Sequence, residues 1–243
     1  MKINDLKLVE IELFSYCNRT CGWCPNNFID RKFNNFVLDE NVLENLLIEL
    51  KEQDYKGVIS LSRYNEPFSK PKLIEMFLYL KDKYLKDNKV VCNTNGDFDF
   101  SQFKDKIEIT EMDYDLNKEE KLDENFRVMR LKNINNRAGA LDFNKSYKRN
   151  TPCFEPMFFV GINYDGTVSP CCNIRNDIEI HKAYIMGNLK KDSLTNILNY
   201  EKNIKFRELV SKGVYDLFPE ICKSCNKIGG RYTSGNGLNG VQS

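Results

Sequence analysis

Histidine is almost missing from this 243-residue chain: His181 stands alone. A metal centre built from several imidazoles is therefore excluded, and a Ser-His-Asp site would have to form around that one residue. Net charge is missing too. Thirty-six Lys and Arg offset 35 Asp and Glu, a formal +1, so no global field gathers nucleic acid or another polyanion. The basic cluster of Lys145, Lys148 and Arg149 reads as solvated loop. No apolar run approaches the ~18 residues that a membrane span needs. Residues 1–5 lack the apolar core of a secretory signal. The expectation is a cytoplasmic protein with neither membrane nor nucleic acid as partner. Internal repeats and low-complexity tracts are absent as well.

Cysteine, by contrast, is plentiful, with nine in all. In a reducing compartment that count points to metal or redox chemistry rather than disulfides. Cys17, Cys21 and Cys24 share one short loop at C-x3-C-x2-C spacing. A protein-bound [4Fe–4S] cubane usually takes four cysteines. A local triplet with no fourth ligand nearby leaves one iron open to a small molecule. Zinc is the alternative, but a structural zinc wants four N/S ligands in a closed site, and no histidine lies nearby. Cys153, Cys171, Cys222 and Cys225 gather late in the chain. Those four can saturate a second cluster or, alternatively, a zinc ion. Cys92 stands apart, and Cys172 is supernumerary because strand neighbours point in different directions.

Periodicity supplies the scaffold. Residues 6–14 read as a strand, with Leu8, Glu10 and Glu12 on one face and Val9, Ile11 and Leu13 on the other. The cysteine loop follows at its C-terminal end. Residues 39–53 read as a helix with an apolar stripe of Val42, Leu43, Leu46, Leu47 and Leu50 and with Asp39 as N-cap. Further strands are expected at 57–63, 89–95, 106–112, 126–131 and 140–143, and a second helix at 72–84. This alternation argues for parallel βαβ units with functional loops at the strand C-termini, too few to close an eight-fold barrel. The predicted class is α/β, a partial (β/α)6 TIM-like barrel over residues 1–150. Residues 158–163 and 167–172 then flank Asp165-Gly166 as a hairpin. Helices at 193–200 and 202–212 follow, completing a small second domain over 151–229. The Gly/Ser/Asn-rich stretch 230–243 reads as a mobile tail.

The run Cys17-Asn-Arg-Thr-Cys21-Gly-Trp-Cys24-Pro-Asn26 resembles the cluster loop of the radical S-adenosylmethionine (SAM) enzymes. In that family the open iron chelates SAM. One electron then cleaves SAM to methionine and a 5′-deoxyadenosyl radical, which takes hydrogen from substrate. The chemistry is the cofactor's; the protein binds, orients and shields it. Tyr64-Asn65-Glu66-Pro67 resembles the Gly-Gly-Glu-Pro element that holds the SAM amino group, with Tyr-Asn in place of Gly-Gly. The resemblance implies SAM contacts from Trp23, Tyr64, Glu66 and, in Thr94-Asn95-Gly96-Asp97, from Asn95. Gly166-x4-Cys171 resembles the element that opens auxiliary-cluster domains. With one set of four cysteines it is closer to the single-cluster "twitch" type than to the larger SPASM type.

Within the superfamily the chain resembles enzymes that oxidise an aminocyclitol alcohol to a ketone. There an arginine helps deprotonate the substrate radical, and the auxiliary cluster accepts the remaining electron. Residues 135–139 carry the corresponding segment, which puts Arg137 in that role. Cys172-Asn173 departs from the aromatic and acidic pair found in those relatives. The resemblance thus implies two [4Fe–4S] clusters, SAM, a small-molecule substrate and an electron donor such as flavodoxin or ferredoxin. The expected reaction is oxidation of a secondary hydroxyl on a small polyol, aminocyclitol or sugar. Epimerisation, with Cys172 or Cys92 returning hydrogen, is the alternative, followed by peptide modification and by a zinc- or cluster-stabilised binding protein. Blander roles stay open for single residues: Trp23 in a core, Glu66 in a strand-end turn, Arg137 on the surface. Glu10 and Glu12 either bind substrate or pair with basic neighbours inside the barrel.

Overall fold

The structure, a computed structural model, describes residues 1–33, 35–113, 126–130, 135–143, 146–213 and 215–227. The stretch expected to be a mobile tail lies outside the described residues. Six parallel strands dominate: β1 (Leu8–Ile11), β2 (Val58–Ser60), β3 (Val90–Thr94), β4 (Glu108–Asp113), β5 (Phe126–Arg130) and β6 (Phe159–Ile162). Two short antiparallel strands, β7 (Thr167–Ser169) and β8 (Gly187–Asn188), complete one sheet in the order β5-β4-β3-β2-β1-β6-β7-β8. β6 does not follow β5 in space. It pairs with the free side of β1, from Leu8 opposite Phe159 to Ile11 opposite Ile162. The region after residue 150 therefore extends the same sheet.

Helices α1 (Glu40–Glu52) and α2 (Pro71–Tyr84) cover one face. Asp39 caps α1 by accepting from the N–H groups of Asn41 and Val42, and Pro71 opens α2, where a missing N–H costs nothing. Leu43, Leu46, Leu47 and Leu50 of α1 and Ile74, Phe77, Leu78 and Leu80 of α2 share a core with Val9, Ile11, Ile59, Ile109, Val160 and Ile162. Alternation then thins. Among the described residues the β3–β4 connection holds only a helical turn, Ser101–Phe103, whose Phe103 stacks on Phe68 at 5.6 Å.

Residues 140–143 are not a strand. Arg137, Ala138 and Gly139 take left-handed φ values of 50°, 52° and 82°, and the Leu141 N–H closes back on Asn136 O at 3.0 Å. A run of four apolar and polar residues is too short for its pattern to separate a strand from such a turn. The later hairpin forms as expected. Gly166 supplies a φ of 84° at the turn, and the Asp165 carboxylate accepts from Thr167 N at 2.9 Å. Four helices complete this region: α3 (Glu155–Phe158), α4 (Leu194–Asn199), α5 (Glu201–Lys212) and α6 (Glu220–Lys223).

Strand alternation sends Val9 and Ile11 toward the helices, so Glu10 and Glu12 face inward with Leu8. Both carboxylates are buried, Glu12 completely. Buried charge needs partners, and those partners build the site.

Candidate active site

The cysteine loop rises from the C-terminal end of β1. Phe14 bridges to Val37, and Leu38 N–H donates to Leu13 O at 2.9 Å, which pins the base of the loop over residues 15–36. Cys17, Cys21 and Cys24 are half-buried on it, and Cys24 N–H turns back onto Cys21 O at 2.9 Å. The charges of Glu66, Cys24 and Cys21 act on the Cys17 thiol. Burial first, then those neighbouring anions, push the Cys17 thiol up to about 11 against a backbone hydrogen bond at Arg19. The end of β3 holds the loop from the side. Arg19 Nε donates to Asp97 at 2.6 Å, Asn18 Nδ2 to Asp97 at 2.7 Å, and Asn95 Nδ2 to Asn18 Oδ1 at 2.8 Å.

Glu66 sits beside this loop, 2% exposed. Oε1 accepts from Thr94 Oγ1 at 2.7 Å and Phe68 N at 3.3 Å; among the described residues Oε2 accepts only from Asn95 N, at 2.8 Å. Burial raises the carboxyl's pKa against those hydrogen bonds. Oε2 keeps acceptor capacity, and the neighbouring Asn65 Nδ2 is buried with no hydrogen-bond partner among the described residues. An anionic acceptor and an open donor beside three thiols suit the ammonium and carboxylate of SAM, and the residues fit that group. Trp23 lies half-buried between Gly22 and Cys24 on the same loop.

Tyr64, where the family pattern has glycine, is buried in a cage of guanidinium groups. Arg175 lies 4.0 Å from its ring centroid, and Arg63 and Arg137 each lie 5.8 Å away. Its hydroxyl donates to Cys172 O at 2.7 Å. Burial, opposed by Arg137 and Arg175, pushes this phenol up to about 12. Glu10 pairs with Arg63 at 3.0 Å, and Arg63 also donates to Asn163 Oδ1 at 2.7 Å. Gly161 leaves room for that guanidinium, since a Cβ there would lie 2.1 Å from Arg63 Nη1 and displace it. Glu12 Oε1 takes Arg31 at 2.9 Å, while Glu12 Oε2 has no hydrogen-bond partner among the described residues. Asp177 joins Arg31 at 2.7 Å and Arg175 at 2.6 Å. Burial opposes its ionisation, yet bonds and charge from Arg175 and Arg31 hold it well below the usual carboxylate range. Glu10 and Glu12 are thus paired barrel residues, with one oxygen of Glu12 left over.

The second cysteine set also converges. Cys153, Cys171, Cys222 and Cys225 line one cavity, walled by Ala138, Ile174, Phe206 and Val210. The other three act electrostatically on Cys171, as does Cys172, and burial drives the Cys171 thiol well above its ordinary value. Four thiols on one cavity are the donor set that an iron–sulfur cluster takes. Arg149, expected in solvated loop, is 6% exposed against this cavity. The reason is tertiary: its backbone N–H binds Lys223 O at 2.7 Å, drawing it onto the Cys222–Cys225 segment. Cys172 turns away from the cavity, packing near Leu8 and Phe159 with Lys227 Nζ 2.9 Å from its sulfur. Cys92 packs in the main apolar core.

Arg137 links the two halves. Its left-handed backbone is braced by Asn135 Oδ1, which accepts from Arg137 N at 2.9 Å, and by the His181 ring against Ala138 O at 3.1 Å. Its side chain reaches the Tyr64 ring and donates to Asn173 Oδ1 at 3.5 Å, while Asn173 Nδ2 donates to Cys225 Sγ at 3.5 Å. Sequence reasoning missed Arg31, Arg63, Arg175, Asp177 and the contacts of Asn173. None stands in a spacing that announces it; only Arg63, adjoining Tyr64, was near a quoted motif.

A family model described as SPASM, an iron-sulfur cluster-binding domain, matches residues 153–226 and takes in all four cysteines of the second set. The chain is 25% identical over 240 residues to the S-adenosyl-L-methionine-dependent 2-deoxy-scyllo-inosamine dehydrogenase of Niallia circulans, covering 91% of this chain and 93% of that one. Along nearly its whole length the chain is thus similar to a SAM-dependent dehydrogenase, and its last third matches a SPASM cluster-binding region. Crystalline BtrN in complex with AdoMet and 2-DOIA shares this fold, with a TM-score of 0.76 at 24% identity over 92% of this chain and 94% of that chain. Native anSMEcpe with bound AdoMet also shares the fold, at a TM-score of 0.57 and 15% identity over 84% and 83%.

Proposed function

We propose that this protein is a radical SAM oxidoreductase that converts a secondary hydroxyl of a small aminocyclitol, polyol or sugar to a ketone. The observation that carries the proposal is the placement of Arg137 between Tyr64 of the SAM motif and Asn173 beside the second cysteine set. A group there can serve a substrate held between the two centres.

Cys17, Cys21 and Cys24 would hold the first cluster, and Cys153, Cys171, Cys222 and Cys225 the auxiliary one. Bound together, SAM and the clusters supply hydrogen abstraction and an electron sink. The chain's own residues do the rest. Glu66 Oε2 accepts from the SAM ammonium, with Asn95 holding the loop and Trp23 and Tyr64 shaping its walls. Arg137 stabilises the developing alkoxide at the substrate hydroxyl or takes its proton, the former suiting its high basicity. Glu12 Oε2, buried with no hydrogen-bond partner among the described residues, can accept from a substrate hydroxyl or amine. The electron donor is a soluble flavodoxin- or ferredoxin-like protein, and the domain division at residue 150 follows chemistry, one cluster to each side. Among the described residues no helix is long and apolar enough to cross a membrane.

The test is anaerobic turnover of reconstituted protein with 2-deoxy-scyllo-inosamine and related aminocyclitols. A product two hydrogens lighter, formed with 5′-deoxyadenosine, is expected. Solvent deuterium on an inverted carbon at unchanged oxidation level would instead establish epimerisation.

A further inference from the structure

We infer that Arg149 is a tuning residue of the auxiliary cluster, raising its reduction potential by holding a permanent buried charge against Cys153 and Cys225. This rests on the reading that the second cysteine set holds an iron–sulfur cluster. Arg149 is strapped across the ligand segment. Its N–H bonds Lys223 O, and its Nη2 donates to Lys227 O at 2.5 Å. Its Nε is buried and meets no hydrogen-bond acceptor among the described residues. It lines the same cavity as Cys153, Cys171, Cys222 and Cys225, and the charges of Cys153, Cys225 and Tyr147 act on it. The other cation on the cavity, Lys227, is already matched by Glu155 at 2.9 Å. Asn173 adds a hydrogen-bond donor to one of these sulfurs, its Nδ2 lying 3.5 Å from Cys225 Sγ.

A cluster on four thiolates becomes more negative when it takes an electron. A fixed cation at its edge therefore stabilises the reduced form more than the oxidised one, and more strongly where water is excluded. Arginine keeps its charge at any working pH. The step this assists is one-electron transfer from a deprotonated substrate radical. That radical has given its carbon-bound hydrogen to 5′-deoxyadenosyl and its hydroxyl proton to a base, and loss of the electron leaves the ketone. A higher acceptor potential pulls that step forward.

The experiment is an EPR-monitored redox titration of anaerobically reconstituted holoprotein, as wild type, Arg149→Gln and Arg149→Lys. The couple that SAM perturbs belongs to the first cluster, and the other to the auxiliary cluster. Arg149→Gln is expected to shift the auxiliary equilibrium at least tenfold toward the oxidised form, about 59 mV lower for one electron. The first couple should stay in place, and Arg149→Lys should recover most of the shift. An unmoved auxiliary midpoint in a Gln variant that carries both clusters overturns the inference. Wild-type protein without a second cluster overturns the underlying reading instead. If the Gln variant does not assemble, Arg149→His decides: its auxiliary midpoint should fall as pH rises through the imidazole range, and a flat profile overturns the inference.

Discussion

Replacing Glu66 by Gln tests the SAM site most directly, because the structure fixes what the change must break. The carboxylate makes three hydrogen bonds, and each oxygen receives a backbone N–H, Phe68 on Oε1 and Asn95 on Oε2. An amide has one oxygen only. Whichever way it is turned, its NH2 faces a backbone donor in a buried site, leaving that donor unsatisfied at about 1–3 kcal/mol of stability. The second loss is the charge-assisted bond to the SAM ammonium, about 1.5–3 kcal/mol. At 1.4 kcal/mol per tenfold, SAM affinity should fall roughly 10- to 150-fold. Titrating SAM into anaerobically reconstituted protein, read by the change in the cluster EPR signal, measures it. Thermal unfolding of the same samples checks the stability cost. A variant that binds SAM as tightly as wild type would refute the placement of the ammonium at Glu66, whatever its stability.

Other outcomes follow from the same geometry. Arg137→Ala is expected to slow product formation by ~10²–10³-fold while leaving SAM affinity near wild type; unchanged turnover would remove Arg137 from the site. Asp177→Asn strips a shared counter-charge from Arg31 and leaves Arg175 buried without a carboxylate. It should cost about 3–5 kcal/mol in anaerobic urea unfolding, and a loss below ~1 kcal/mol would mean that the network is already slack. Cys17, Cys21 and Cys24 replaced together by Ala should abolish 5′-deoxyadenosine formation while about four of about eight irons remain; SAM cleavage at the normal rate would refute the assignment of the first cluster.

Local rules carried much of this protein. The cysteine triplet lies within one loop, so its spacing can be read without the fold. Asp39, the stripe of α1 and the Asp165-Gly166 turn depend on neighbours a few positions away, and they appear where periodicity put them. The tertiary structure decided what distant segments do to each other. Pairing β6 with β1, rather than with a strand beyond β5, brings Asn163 and Gly161 under Arg63. The fold likewise gathers Arg31, Arg175 and Asp177 from positions up to 146 residues apart. It buries Arg149, which sequence alone left in solvent, because its partners Lys223 and Lys227 lie within and just after the Cys222–Cys225 segment. A side chain's charge and type are written in the chain. Its counter-charge and its exposure to water are fixed only when the sheet brings remote segments into contact, and those two quantities set how it can act on a substrate or a cluster.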